Sequence, residues 1–249
     1  MTQLSVPWGR DNLSIELPSN WTLLQVAQPA LRSAGSDWPE RVALVLSQPS
    51  SGLSLPKLLA ARRGGRIVLV LEDATRHSPL PQILDLVLRE FRFARIPLDQ
   101  VEVLFATGMH PPMSAEQAAV KLGQVGAALK WRSNPWQDRR RYVRVGQFAG
   151  VDVRVERALV EADLRVVISS VSPHLQAGFG GGYKMFVPGC SFLETIRCLH
   201  RLGIDRAARQ LVGLNEDRNP MRTVIDRAGA ALDAMGGKTF ALQYLLDGD

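Results

Sequence analysis

Three runs of mostly apolar residues, rich in β-branched side chains, set the terms for this chain: RIVLVLED at 66–73, VEVLFATG at 101–108 and LRVVISSV at 164–171. None alternates with polar residues, so each predicts a strand covered on both faces. Between them lie segments with helical spacing. LPQILDLVLREFRFA (80–94) sets Ile83, Val87, Leu88 and Phe91 on one side. SAEQAAVKLG (114–123) opens on a serine suited to cap a helix and has a glutamate in its first turn. LSLPKLLAARRG (53–64) predicts a helix stopped by Gly64 and Gly65, and RVALVLSQ (41–48) predicts a further buried strand. Two-faced strands alternating with helices predict an α/β fold, a Rossmann-like, mostly parallel sheet with helices on both faces.

The rhythm breaks at 131–160, where YVRV and VDVRVERAL predict a β-hairpin insertion. At the start, LSIELP alternates and predicts a short peripheral strand. After residue 190, FLETIRCLHRLG, DRAARQLVGL and MRTVIDRAGAALDAM predict helices, and TFALQYLLDGD begins another strand. No repeat, low-complexity tract or linker divides the chain, so 1–249 is expected to be one α/β domain; 46% hydrophobic residues suffice for its core. The formal charge of +6, from 30 Lys and Arg against 24 Asp and Glu, suits anionic ligands without choosing among them. The arginine-rich QDRRRYVR (137–144) lacks the interleaved aromatic residues of a nucleic-acid platform and is expected to be a solvated hairpin. Cys190 and Cys198 form neither a metal-binding spacing nor a disulfide framework. With no signal-peptide pattern at the start and no apolar run near the roughly 20 residues that span a bilayer, a cytoplasmic, membrane-free protein is expected.

Polar clusters follow the three apolar runs directly: EDATRHSP, ATGMHPP and SPHLQAGFGGGYK. Ligands of parallel sheets bind beyond the carboxyl ends of the strands, so the three clusters point at one site. A lone histidine is more often structural or solvated than reactive. Convergence on one edge reverses that expectation for His110 and His174. His200 stays open on spacing alone, and His77 is assigned to the surface. Asp73 or Thr75 could simply cap the helix at 80, whereas Arg76 offers a planar fork to a carboxylate. GFGGGYK is a flexible loop as readily as a phosphate cradle, and no Ser or Thr follows Lys184 to make a P-loop. A lysine after glycines is either a phosphate clamp or a nucleophile.

DATR followed by proline, ATGMH, and PHLQAGFGGGYKMFVPG with ETI and LH beyond it resemble the lactate racemase family, whose members are nickel-pincer racemases and epimerases of 2-hydroxy acids. The pattern PH-x-x-AGF-x-GG-x-K-x-x-x-PG, with a histidine sixteen residues after the lysine, carries most of the specificity. The resemblance implies that Lys184 covalently holds a nickel-pincer nucleotide, a nicotinate-derived dithio-mononucleotide, and that His200 supplies the remaining nickel ligand. It implies His110 and His174 as alternating general base and acid and Arg76 as the carboxylate anchor. Asp73, Thr75, Gly181 and Gly182 would lie near the nucleotide. The implied substrate is a small 2-hydroxycarboxylate, the implied partners are cofactor-biosynthesis enzymes, and a homo-oligomer is compatible with the sequence. The chain departs from the family at His77, Pro111 and Gly180, and the family's C-terminal domain is expected to be largely absent. Two alternatives stay open: a truncated relative that binds the cofactor or an anion without turnover, and a phosphate- or nucleotide-binding α/β protein using Gly180 to Gly182.

Overall fold

The computed structural model describes residues 2–8, 11–26, 34–62, 64–204, 211–215 and 218–246. Contacts divide the chain into two units, Met1–Ser33 with Asp247–Asp249, and Ala34–Leu246. The first holds an antiparallel hairpin of β1 (Thr2–Trp8) and β2 (Asp11–Leu17), where the sequence predicted a short strand.

The second unit begins with helices α1 (Trp38–Ser47) and α2 (Leu55–Ala60). The strand expected at 41–48 is therefore wrong: the segment is helix. Its start signals lie just upstream, with Asp37 before the helix, Pro39 in its first turn and Glu40 beside the amino-terminal dipole. Its apolar run is only one-sided, because Leu46 is buried while Leu44 and Val45 are exposed. The chain continues through β3 (Ile67–Leu71), α3 (Leu80–Phe93), β4 (Val101–Phe105), α4 (Ala115–Leu122) and β5 (Lys130–Ser133). Ser114 closes a reciprocal capping box with Gln117 at the start of α4. β6 (Tyr142–Phe148) and β7 (Val151–Glu156) form the expected hairpin, turning through Ala149 and Gly150, both at positive φ. Then come α5 (Arg157–Glu161), β8 (Leu164–Ser170), the two-residue strands β9 (Pro173–His174) and β10 (Gly178–Phe179), α6 (Leu193–Leu202), α7 (Pro220–Ala234) and β11 (Lys238–Tyr244). Of the helix expected at 205–214, residues 205–210 lie outside the described residues.

The main sheet has five parallel strands in the order β11-β8-β3-β4-β5. Numbered by their place in the chain from the β5 edge, the strands run 3-2-1-4-5, so the order reverses between β3 and β8. Side chains of the central strands alternate between two cores. Ile67, Leu69 and Leu71 of β3 pack with α1 to α4, whereas Val68 and Val70 pack with β7, α5, α6 and α7. Every residue of β3 and β8 is buried. Helices on both faces explain why these strands carry no polar alternation. Sequence did not reveal β5, whose residues are polar except Trp131 and are partly or fully exposed as befits an edge strand.

Candidate active site

A cleft of about 230 Å3 opens at the carboxyl ends of β3, β4 and β8. It straddles the β3/β8 reversal, where the connections leave to opposite faces and make room for a ligand. Asp73 and Arg76 line it from the segment after β3, Thr107 and His110 from that after β4, and Ser172, His174, Gly181 and Lys184 from that after β8. His200 enters from the last turn of α6. The structure thus brings together Asp73, Arg76, His110, His174, Gly181, Lys184 and His200. Thr75 touches the cleft only through Asp73, and Gly182 lines neighbouring crevices beside Gln243 instead. His77 is exposed, as expected.

The loop after β3 is held by a buried carboxylate. Glu72 accepts from the backbone N–H and hydroxyl of Ser170 on β8, from Tyr244 on β11 and from Ser78. The Lys121 ammonium lies 3.6 Å from Glu72 and donates to the Arg76 carbonyl. This pair locks both ends of the 72–78 segment, and burial holds the Lys121 amine below its usual range against the pull of Glu72. Asp73 is also buried. One carboxylate oxygen accepts from the backbone N–H and hydroxyl of Thr75, and the other lies 2.6 Å from His110 Nδ1. Burial alone would raise the Asp73 carboxyl; the hydrogen bonds from Thr75 and His110 outweigh it and hold the group below the usual range. The Arg76 guanidinium has no carboxylate partner among the described residues, so it can engage an incoming anion.

The glycine loop owes its shape to backbone needs. Gly178, Gly181 and Gly182 all sit at positive φ, and a Cβ on Gly178 would lie 1.9 Å from the Leu214 carbonyl oxygen. Gly180 has neither constraint, its nearest neighbour being the Ser172 hydroxyl at 3.6 Å. Arg222 on α7 pins the loop by donating to the carbonyls of Ala177 and Phe179. These bonds seat His174, whose Nδ1 accepts from the backbone N–H groups of Gln176 at 3.2 Å and Ala177 at 3.0 Å. Burial, then the neighbouring Lys184, Arg76, His200 and Arg222 side chains, pushes the His174 ring down to about 4. The Lys184 amine is pushed down to about 8, first by burial and then by Arg76 and Arg222, with Asp73 pulling the other way. A lysine so placed keeps a neutral, nucleophilic fraction near physiological pH.

His200 Nδ1 lies 2.7 Å from the Ile196 carbonyl, an acceptor only, so in the neutral ring Nδ1 carries the hydrogen and Nε2 keeps its lone pair. Metal-bound histidines usually have this second hydrogen bond. Among the described residues no group of three His, Cys, Asp or Glu side chains could hold a metal ion, so a metal beside His200 must bring other donors with it. The Thr107 hydroxyl, buried in the cleft wall, has no hydrogen-bond partner among the described residues and is free to bind a ligand. Glu72, Thr107, Lys121 and Arg222 were not singled out from sequence. The one available signal was Lys121, a charge set between Ala118 and Leu122 on the buried side of α4.

Comparison with known proteins places the arrangement in context. Residues 8–211 match the model of the lactate racemase N-terminal domain. A lactate racemase from Lactiplantibacillus plantarum is 28% identical over 203 residues, covering 80% of this chain and 47% of that protein. Another, from Thermoanaerobacterium thermosaccharolyticum, is 26% identical over 212 residues, with the same shares covered. The structure of the lactate racemase apoprotein from that organism superposes with a TM-score of 0.76 at 25% identity, covering 99% of this chain and 56% of that one. A crystal structure from Thermotoga maritima shares the fold, with a TM-score of 0.71 at 22% identity over 85% of this chain and 52% of that one. The chain spans about half the length of the curated relatives it matches.

Proposed function

The chain belongs to the lactate racemase N-terminal domain family, and from that premise we propose that its cleft binds a nickel-pincer nucleotide and interconverts the enantiomers of a small 2-hydroxy acid. One observation carries the reading: Arg76, His110, His174, Lys184 and His200, far apart in sequence, line one cleft at the β3/β8 reversal. The donor set fits the cofactor. A lysine amine with a lowered pKa suits covalent attachment, and one imidazole with a bare Nε2 suits a metal that already carries most of its ligands. The Gly181 backbone on the cleft wall and the unpartnered Thr107 hydroxyl offer hydrogen-bonding groups to the nucleotide part. When bound, such a group supplies a hydride acceptor, which lets the C–H bond beside a carboxylate break without forming a carbanion.

The chain's own residues do the rest. Arg76 holds the substrate carboxylate through two parallel hydrogen bonds, which fixes the reacting carbon between the two imidazoles. His110 and His174 then handle the hydroxyl proton, one on each side. The cations Lys184 and Arg76, which line the cleft with Asp73, favour anionic substrate over neutral analogues. Protein made together with cofactor-synthesis enzymes is expected to show a mass adduct that Lys184→Ala abolishes. Chiral analysis of 2-hydroxy acids with the loaded protein is expected to show inversion, lost in His110→Ala with the adduct retained. Absence of any Lys184 adduct overturns the reading; an adduct without inversion of any acid identifies a cofactor-binding relative without turnover.

A further inference from the structure

We infer that the cleft holds its two histidines in opposite resting tautomers, with Asp73 presenting the bare Nε2 of His110 and the Gln176 and Ala177 amides presenting the Nε2–H of His174. The tautomers follow from geometry alone; their consequence for substrate rests on the racemase reading above.

Asp73 can accept but not donate when ionised. Its Oδ1 is occupied by both donors of Thr75, which leaves Oδ2 for His110 Nδ1 at 2.6 Å. A carboxylate oxygen there requires the hydrogen on Nδ1, and the neutral ring has no second hydrogen for Nε2. His174 shows the reverse arrangement. Two backbone N–H groups converge on its Nδ1, and an amide N–H can only donate. The lone pair must therefore be on Nδ1 and the ring's one hydrogen on Nε2. Protonating Nδ1 would set three N–H groups against one another, with the Lys184, Arg76 and Arg222 cations adding positive charge nearby. Asp73 is thus a positioning residue that acts through His110, and the 174–177 turn does the same for His174. A substrate hydroxyl facing His110 meets an acceptor. One facing His174 meets a donor, and His174 takes up the hydroxyl proton only once its own hydrogen has left Nε2. The two enantiomers therefore enter unequal surroundings, although the two side chains are chemically identical.

The test uses unloaded, 15N-labelled protein at a pH of about 8.5, two units above the ordinary histidine value of about 6.5. Ring 15N resonances distinguish a protonated from a bare nitrogen, and His110→Gln and His174→Gln provide the assignments. Exposed His77 serves as the reference for an unconstrained ring. The expected result is a protonated Nδ1 at His110 and a protonated Nε2 at His174. In Asp73→Asn, Thr75 keeps the amide oxygen at the Oδ1 position, so the NH2 group replaces Oδ2 and donates to His110 Nδ1. His110 then inverts its tautomer while His174 does not. If Asp73→Asn fails to fold, the wild-type spectrum still decides. The same tautomer at both rings, or an unchanged His110 in folded Asp73→Asn, overturns the inference. Opposite tautomers in a protein that binds no cofactor and inverts no acid leave the inference standing and overturn the racemase reading instead. In active loaded enzyme, Asp73→Asn is expected to lower kcat by roughly 10^2–10^4-fold, the range of general acid–base catalysis, with little change in KM.

Discussion

Lys184 illustrates how the cleft changes the chemistry of one residue. As the sole lysine after three glycines, it is equally readable from sequence as an anion clamp or a nucleophile. The fold favours the second role by burying the amine and setting Arg76 and Arg222 nearby, which lowers its value to about 8. A lowered pKa means the neutral amine appears at lower pH. At pH 8 about half of Lys184 is neutral, against roughly 0.4% of a lysine with the ordinary value of about 10.4. Pulse acylation read by peptide mass spectrometry is therefore expected to give Lys184 a rate midpoint near pH 8, while exposed lysines keep rising through about 10.4. Asp73 pulls the amine upward, so Asp73→Asn shifts the midpoint lower still. A Lys184 midpoint in the ordinary lysine range contradicts this. Such shifts were not legible beforehand, because they depend on which charges lie close in space. The presence of His110, His174 and Arg76 in one cleft was legible, because each directly follows an apolar strand. His200 was legible only through the family resemblance and stayed open on spacing alone, since its position depends on how α6 packs.

At the scale of elements, legibility followed the strength of the burial pattern. α3 keeps six buried residues on one stripe and α4 has a complete capping box, and both were readable. α1 was misread because a short apolar run fits a strand or a helix equally, and only Asp37, Pro39 and Glu40 decide it. α7 was readable as a helix, but not as the support of the glycine loop. Arg222 reaches from its first turn to the carbonyls of Ala177 and Phe179, linking two elements some 45 positions apart. Arg222→Met keeps the length of the side chain and removes both donors, leaving the Phe179 carbonyl without its donor and the Ala177 carbonyl with the Phe179 N–H alone. The expected loss is roughly 3 kcal/mol, which lowers Tm by roughly 6–12 °C for a chain of this size. Hydrogen exchange should speed up in residues 177–182 and stay unchanged in β3 and β4. A uniform increase across the sheet would show that Arg222 supports the whole fold rather than this loop.

Across the whole molecule, the 3-2-1-4-5 order matters more than any single residue. It parts the connections on either side of the β3/β8 boundary and leaves a hollow there, which the segments after β3, β4 and β8 fill with reactive groups. The parallel sheet was readable from sequence. Its order was not, because strand neighbours are a tertiary fact that hydropathy does not encode. The same hollow limits what metal chemistry the protein can perform unaided. His200 is held with Nδ1 engaged, yet no group of three metal-binding side chains includes it among the described residues. Protein sites that retain zinc-like ions supply three or four ligands, so a site with fewer than three cannot hold a free divalent ion firmly. Unloaded protein incubated with Ni2+ and passed through gel filtration is expected to emerge without stoichiometric metal, with or without His200→Ala. Cofactor-loaded protein is expected to retain nickel in the wild type and lose it in His200→Ala while keeping its Lys184 adduct. Stoichiometric nickel on the unloaded chain would mean that the ion finds a complete ligand set in the protein, and would remove the reason for assigning the remaining ligands to a tethered group.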